Sequence, residues 1–378
     1  MKRFFSVVFG LLLTGAASLA QSEKVITVTV KSPASRSGSS SELVSIKWAA
    51  ILAKYPKINA QEFVVLGPAG KEVPHQLEFK GTPTIQNLLV QSTVAPGKSV
   101  TLKIKPGKPG SVLPKVYGRY VPERKDDFAW ENDKIAFRMY GKALEATNEN
   151  AYGIDVWAKR TDKMILDQWY KSGDYHVDHG DGLDYYSVGF TLGAGDIAPY
   201  VGDQIGFSKN YRRWKILDNG PLRFSFQLDY DEWQVGGMPV QVTKIYTLDA
   251  GSQLNRVDAT FHFSNQADAL PVVVGIVKRK DPGVISMLGK SGIIGYWEPS
   301  HGADGNLGIG TILLKNSTSI ETETHLLQKT LVKSGHALTY YAGAAWNKAG
   351  AISNAAEWDS YLQSFRQTLA SPFIITIK

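Results

Sequence analysis

The sequence predicts an all-β protein, two large antiparallel sheets packed face to face with one short helix near the C-terminus. Three observations predict it. β-branched or alternating runs recur through all 378 residues, Gly, Asn, Asp and Pro fall between them, and only one segment shows helical spacing. The runs include Val25 to Val30, Leu43 to Trp48, Asn87 to Gln91, Ser99 to Ile104, Lys134 to Met139, Leu222 to Tyr230 and Val272 to Val277. Between them, Leu66-Gly67-Pro68-Ala69-Gly70-Lys71 and Asp218-Asn219-Gly220-Pro221 are turns, because Gly reaches positive φ and Pro and Asn preset tight bends. Val240 to Leu248 and Leu254 to Phe263, separated by Asp249-Ala250-Gly251-Ser252, read as a hairpin whose second strand alternates faces. After a cap at Ser353 or Asn354, Trp358, Tyr361, Leu362, Phe365 and Leu369 repeat at helical spacing. No fixed period recurs, which argues against propellers and solenoids.

The first residues set a destination. Met1-Lys2-Arg3, an apolar run from Phe4 to Leu13 and small residues up to Ala20 form a secretory signal peptide over residues 1–20, cleaved after Ala20. The mature chain, 21–378, is then secreted or periplasmic, and no later run is long enough to span a bilayer. It reads as one domain, an N-terminal β-layer over 21–114 and a main body over 115–378, joined through the Pro/Gly-rich Lys105 to Pro114. With no cysteine there is no disulfide, thiolate zinc site or catalytic thiol. The formal charge of +7 falls to +5 without Lys2 and Arg3 and is spread along the chain, unlike the clustered basic stripe of a nucleic-acid binder. It suits an acidic oligo- or polysaccharide. Oligomeric state is left open.

Chemistry concentrates in Asp174 to Tyr186: two His, four Asp and three Tyr, with glycines at 180 and 182. Such a set is costly to bury without partners, and His and Tyr carry protons or stack on sugar rings. Tyr175, His176, His179 and Asp184 are the candidate catalytic residues, with Arg138, whose planar fork matches a carboxylate and which lies off the apolar face of its strand. Asn132, Glu131, Arg124, Tyr185, Trp297, Glu298, His301, Tyr340 and Trp346 are candidate substrate contacts. His-x-x-His beside carboxylates matches no zinc or calcium motif, so no cofactor is expected, with a divalent cation left open. The nucleophile elbow, P-loop and dinucleotide fingerprint are absent.

The runs Pro122-Glu123-Arg124-Lys125-Asp126-Asp127, Trp130-Glu131-Asn132-Asp133, Phe137-Arg138-Met139-Tyr140-Gly141, Tyr175-His176 through Gly182-Leu183-Asp184, Thr191-Leu192-Gly193-Ala194-Gly195 and Asn219-Gly220-Pro221 resemble the bacterial DUF4861 family over nearly all of the mature chain. The resemblance implies a supersandwich akin to galactose mutarotase and a place among polysaccharide-degrading genes. It carries no assigned mechanism. Four activities follow as expectations. A lyase acting on uronic-acid glycans would use Arg138 or Asn132 against the carboxylate and His176 or a tyrosine as base. A glycoside hydrolase would need two carboxylates, drawn from Asp178, Asp181, Asp184, Glu298 and Glu131. A mutarotase-like epimerase would pair Glu298 with His301, and a non-catalytic carbohydrate-binding protein would need only the aromatic residues.

Overall fold

The computed structural model describes residues 25–38, 41–264 and 268–378, so the signal-peptide reading lies outside the described residues. The fold is all-β, with three α-helices among the described residues: α1 (Trp48–Lys54), α2 (Leu166–Ser172) and α3 (Ala355–Ala370).

The body is a two-layer sandwich. One layer is an eight-stranded antiparallel sheet, ordered Arg213–Asn219, Arg223–Val235, Met238–Asp249, Leu254–Phe263, Ala337–Trp346, Leu307–Leu313, Ile293–Trp297 and Val284–Leu288. The expected hairpin is in it, with Val242 opposite Phe261 and Tyr246 opposite Val257. Alternate side chains of Met238–Asp249 are buried, as the period of two requires for a sheet with one face on the core. The other layer is composite. Five strands, Gly182–Leu183, Asp155–Lys159, Ala136–Met139, Asp127–Asn132 and Val116–Val121, lie beside five more built on Ala194–Val201, Leu270–Val277 and His325–Val332. A single parallel bridge, Ile154 to Gly193, joins the two halves. Phe128, Trp130, Phe137, Val156, Phe226, Tyr246, Val274 and Ile309 share the core between the layers.

The N-terminal residues form two small sheets around a core of their own, with Val28, Val30, Val44, Ile46, Leu88, Val90, Leu102 and Ile104 closed by Trp48 and Ile51 of α1. Strands stop at Pro106 and resume at Val116, across the Pro/Gly-rich connection. The last strand, Ile374–Ile377, returns to this unit and pairs with Ile26–Lys31. Gln76 ties the unit to the body: its Oε1 accepts from Leu222 and Arg223 N–H, and its Nε2 donates to Arg223 O.

α3 starts as the sequence predicts. Asn354 caps it by accepting from Glu357 N–H, and Trp358 and Leu362 pack on the outer face of the eight-stranded sheet. The short α1 and α2, absent from the sequence reading, each have too few turns to show a helical stripe.

Candidate active site

The outer face of the five-stranded half-layer carries charge because strand alternation turns it away from the core. In Ala136–Met139, Phe137 and Met139 face the interior, while Ala136 and Arg138 face outward. Asp155 sits directly across the ladder from Arg138. Its Oδ2 lies 2.8 Å from Arg138 Nε and 2.6 Å from Nη2. Asp184 Oδ2 lies 3.0 Å from Nη2, and Asp127 Oδ2 lies 3.8 Å from Nη1. All four side chains are buried. Burial pushes the Asp127 carboxyl up to about 7 against the pull of Arg138, and it lifts Asp155 and Asp184 as well.

A strained turn aims part of this set. Lys125 and Asp126 have φ of 50° and 63°, uncommon for residues with side chains, and lie between Arg124 and Asp127. Tyr211 Oη donates to Asp126 O and Tyr120 Oη to its carboxylate. Gly141 passes so close that a Cβ there would sit 1.8 Å from Asp126 O.

α2 and the segment after it cover this face. Glu131 accepts from Ile165 and Leu166 N–H at the start of α2 while Lys159 holds its other oxygen at 2.5 Å, so Glu131 orients the helix. Asn132 bridges the turn at Asp249 and Ser252 by donating to both carbonyls. Tyr175 stacks on Trp157, ring centroids 4.9 Å apart, and its hydroxyl is 3.4 Å from Arg124 Nε. His176 is exposed, with Nδ1 2.8 Å from Asp184 O. His179 is exposed too, paired with Asp174 at 2.9 Å. Tyr175, His176 and Asp184 connect to Arg138 within one or two contacts, Tyr175 through Trp157 and His176 through Asp184, whereas His179 turns to Asp174 instead.

The same segment leads to a second group at the loop ends. Glu298, just after Ile293–Trp297, is 5% exposed, and its Oε1 accepts from Arg279 Nε at 2.6 Å. Burial raises this carboxyl to about 7, with Arg279 and, more weakly, His301 pulling it down. Arg279 Nη1 donates to Ser187 O, and its guanidinium lies 4.5 Å from the centre of the Tyr186 ring. His301 is exposed, its ring stacked on Tyr185 and its Nδ1 2.9 Å from Asp304 Oδ2. Trp346 Nε1 donates to Asp304 O and fixes that turn, and Arg160 lies over the Trp346 ring. Tyr186 links the two groups, since burial and the charges of Glu298 and Asp155 all raise its phenol.

Two further candidates lie elsewhere. Trp297 is buried beneath α3 and Tyr340 in the core between the layers. The sequence reading did not single out Asp155, Asp127, Tyr186, Arg279 or Asp304. Asp155 left a signal, a lone carboxylate inside the apolar run Gly153-Ile154-Asp155-Val156-Trp157. Arg279 left none, because its partner is 19 residues away. Among the described residues, no group of three His, Asp or Glu is placed to hold a metal ion, and no helix is long and apolar enough to cross a membrane.

Fold and site define an all-β two-layer sandwich protein with charged groups gathered on the outer face of one layer and at its loop ends. A family model described as a domain of unknown function, DUF4861, matches residues 30–375, and the chain belongs to that family. Uncharacterized protein P7 of Formosa agariphila is 33% identical over 286 residues, covering 69% of this chain and 70% of that protein. Two solved Enterococcus faecalis structures share the fold at 9% identity. An alpha-mannosidase aligns with a TM-score of 0.53 over 94% of this chain and 46% of its own, and a protein in glycosyl hydrolase family 38 with 0.56 over 94% and 47%. The chain thus spans about half the length of those structures, and the likeness is one of fold.

Proposed function

We propose that this protein is a carbohydrate-active enzyme of the lyase type that acts on uronic-acid-containing oligo- or polysaccharides. One observation carries the reading: Glu298, buried with its carboxyl near 7, stands within electrostatic reach of the exposed His301, whose Nδ1 is held by Asp304. A base that is half ionised at neutral pH and a histidine oriented through one nitrogen form an acid–base pair. In β-elimination, Glu298 takes the proton at C5 of the uronate, the electron pair forms the C4–C5 double bond, the C4–O bond breaks, and His301 Nε2 protonates the departing oxygen. The stacked Tyr185 and the cations Arg279, Arg160 and Arg124 favour an acidic sugar ring at this face. The fold shared with an alpha-mannosidase and a protein of glycosyl hydrolase family 38 supports a saccharide substrate.

The test is a panel of uronate-containing and neutral oligosaccharides, followed by near-ultraviolet absorbance and product mass. A new absorbing product from uronates, lost in Glu298→Gln, is expected. Cleavage with addition of water and no chromophore would replace elimination by hydrolysis. Binding without turnover would leave a carbohydrate-binding protein. We also infer export, with the mature chain starting at Gln21, on the basic, apolar and small-residue order of residues 1–20. N-terminal sequencing of the exported protein tests it, and retention of Met1 would overturn it.

A further inference from the structure

We propose that Arg138 is a receptor for the carboxylate of an acidic sugar, and that Asp184 occupies that receptor as an internal stand-in until the sugar displaces it. The identity of the ligand as a uronate rests on the function proposed above; the receptor itself rests on the packing around Arg138.

The three carboxylates on Arg138 are not equivalent. Asp155 is built into the sheet, opposite Arg138 in register, with Oδ1 accepting from Val156 N–H and Oδ2 from the Trp157 indole. Asp127 is also a strand residue. Asp184 alone comes from the covering segment, just beyond the two-residue strand Gly182–Leu183, and reaches the guanidinium through one oxygen at Nη2. Arg138 Nη1 makes no hydrogen bond, since Asp127 at 3.8 Å is too far. Asp127 Oδ1 and Arg124 Nη1 are also buried without hydrogen-bond partners. Three unmet polar atoms around one guanidinium are out of keeping with an interior that normally satisfies such groups. A bidentate carboxylate on Nη1 and Nη2 would satisfy the guanidinium better than Asp184 does.

The exchange is feasible in charge and in backbone. One carboxylate replaces another, Asp184 leaving for solvent in its ionised form as the uronate enters, so the charge around Arg138 is conserved. Gly180 and Gly189 flank the segment at φ of 109° and 56°, with open space where a Cβ would stand. Between them only Gly182–Leu183 pairs with the sheet. A sugar held on Arg138 would adjoin Tyr140, whose hydroxyl is 3.4 Å from Nη2, and Tyr186, whose ring leads to Arg279 and Glu298.

The experiment is calorimetric titration of the full chain and of Asp184→Asn with sodium glucuronate and with glucose, with melting curves to establish folding. Asp184→Asn should bind glucuronate at least tenfold more tightly than the wild type and leave glucose unaffected. Equal glucuronate affinity in the two proteins, or equal gains for glucose, would overturn the receptor. If Asp184→Asn does not fold, hydrogen exchange in the wild type decides. Faster exchange over residues 174–187 with glucuronate but not glucose supports displacement, and unchanged or slower exchange overturns it. Tighter glucuronate binding in Asp184→Asn with no near-ultraviolet product from any uronate keeps the receptor and removes the proposed reaction. Product formation with unaltered Asp184→Asn affinity does the reverse.

Discussion

His301 and Tyr185 lie ring on ring, their centroids 4.9 Å apart and their planes 19° from parallel, while Asp304 holds the far side of the imidazole at Nδ1. The stack and the carboxylate together fix a side chain that is otherwise exposed. Replacing His301 by Ala should therefore lower kcat by about 100-fold, the size of a lost general acid, with little change in melting temperature. Asp304→Asn, which keeps the ring but alters its orienting partner, should fall between the variant and the wild type. Steady-state kinetics beside thermal melting checks both.

Glu298 sets a pH dependence. As the proposed base it must be ionised, so kcat/KM should rise with pH through a midpoint near 7, and the limb should vanish in Glu298→Gln. Stability moves the other way. The folded carboxyl lies near 7 against 4.5 for an ordinary glutamate, so the folded chain binds that proton more tightly. The contribution is full below 4.5 and declines as pH rises toward 7. Urea midpoints across this window should fall less steeply in Glu298→Gln.

Gly141→Ala should cost about 3 kcal/mol, the scale of severe overpacking, because its Cβ would enter the Asp126 carbonyl and the backbone there is already left-handed. Gly173→Ala, at φ 71° with open space around it, should cost about 1 kcal/mol. Denaturant unfolding of the two side by side separates contact from conformation.

Between the layers, Lys244 and Asp196 form a fully buried ion pair with both carboxylate oxygens within 2.8 Å of the ammonium. Lys244→Met alone should lose about 3–5 kcal/mol, since it strands the carboxylate, and adding Asp196→Asn should restore much of it. A double-mutant cycle in urea gives the coupling directly.

His176 is exposed, with Nδ1 on the Asp184 carbonyl and its ring beside Tyr175, a position suited to binding a ligand at the rim rather than to the reacting atoms. His176→Ala should raise KM several-fold with kcat within a factor of two. A loss carried wholly by kcat would move it to the reacting atoms.

Period-two segments were legible wherever they were long. The hairpin of Met238–Asp249 and Leu254–Phe263 and the cap at Asn354 follow from alternation and side-chain chemistry within a dozen residues. The join between Ile154 and Gly193 was not, since it is one bridge between segments nearly 40 residues apart. The site shows the same division. The density of Asp174 to Tyr186 marked the covering segment, and the side of the strand on which Arg138 lies followed from its apolar neighbours. Its carboxylate partners did not, because Asp155 and Asp127 meet Arg138 only through strand pairing. Glu131 and Asn132, polar residues in a dense run, spend their hydrogen bonds on α2 and a turn, which composition cannot distinguish from ligand contacts.

The pairing of Ile374–Ile377 with Ile26–Lys31 makes the first strand of the described residues wait for the last. While the chain is being synthesised, the amino-terminal unit therefore has one edge open until Phe373, Ile375 and Ile377, which pack on its core, have been added. Completion of the amino-terminal unit is thereby coupled to synthesis of a segment far downstream, so a chain broken before residue 373 would keep its oldest strand as an exposed edge.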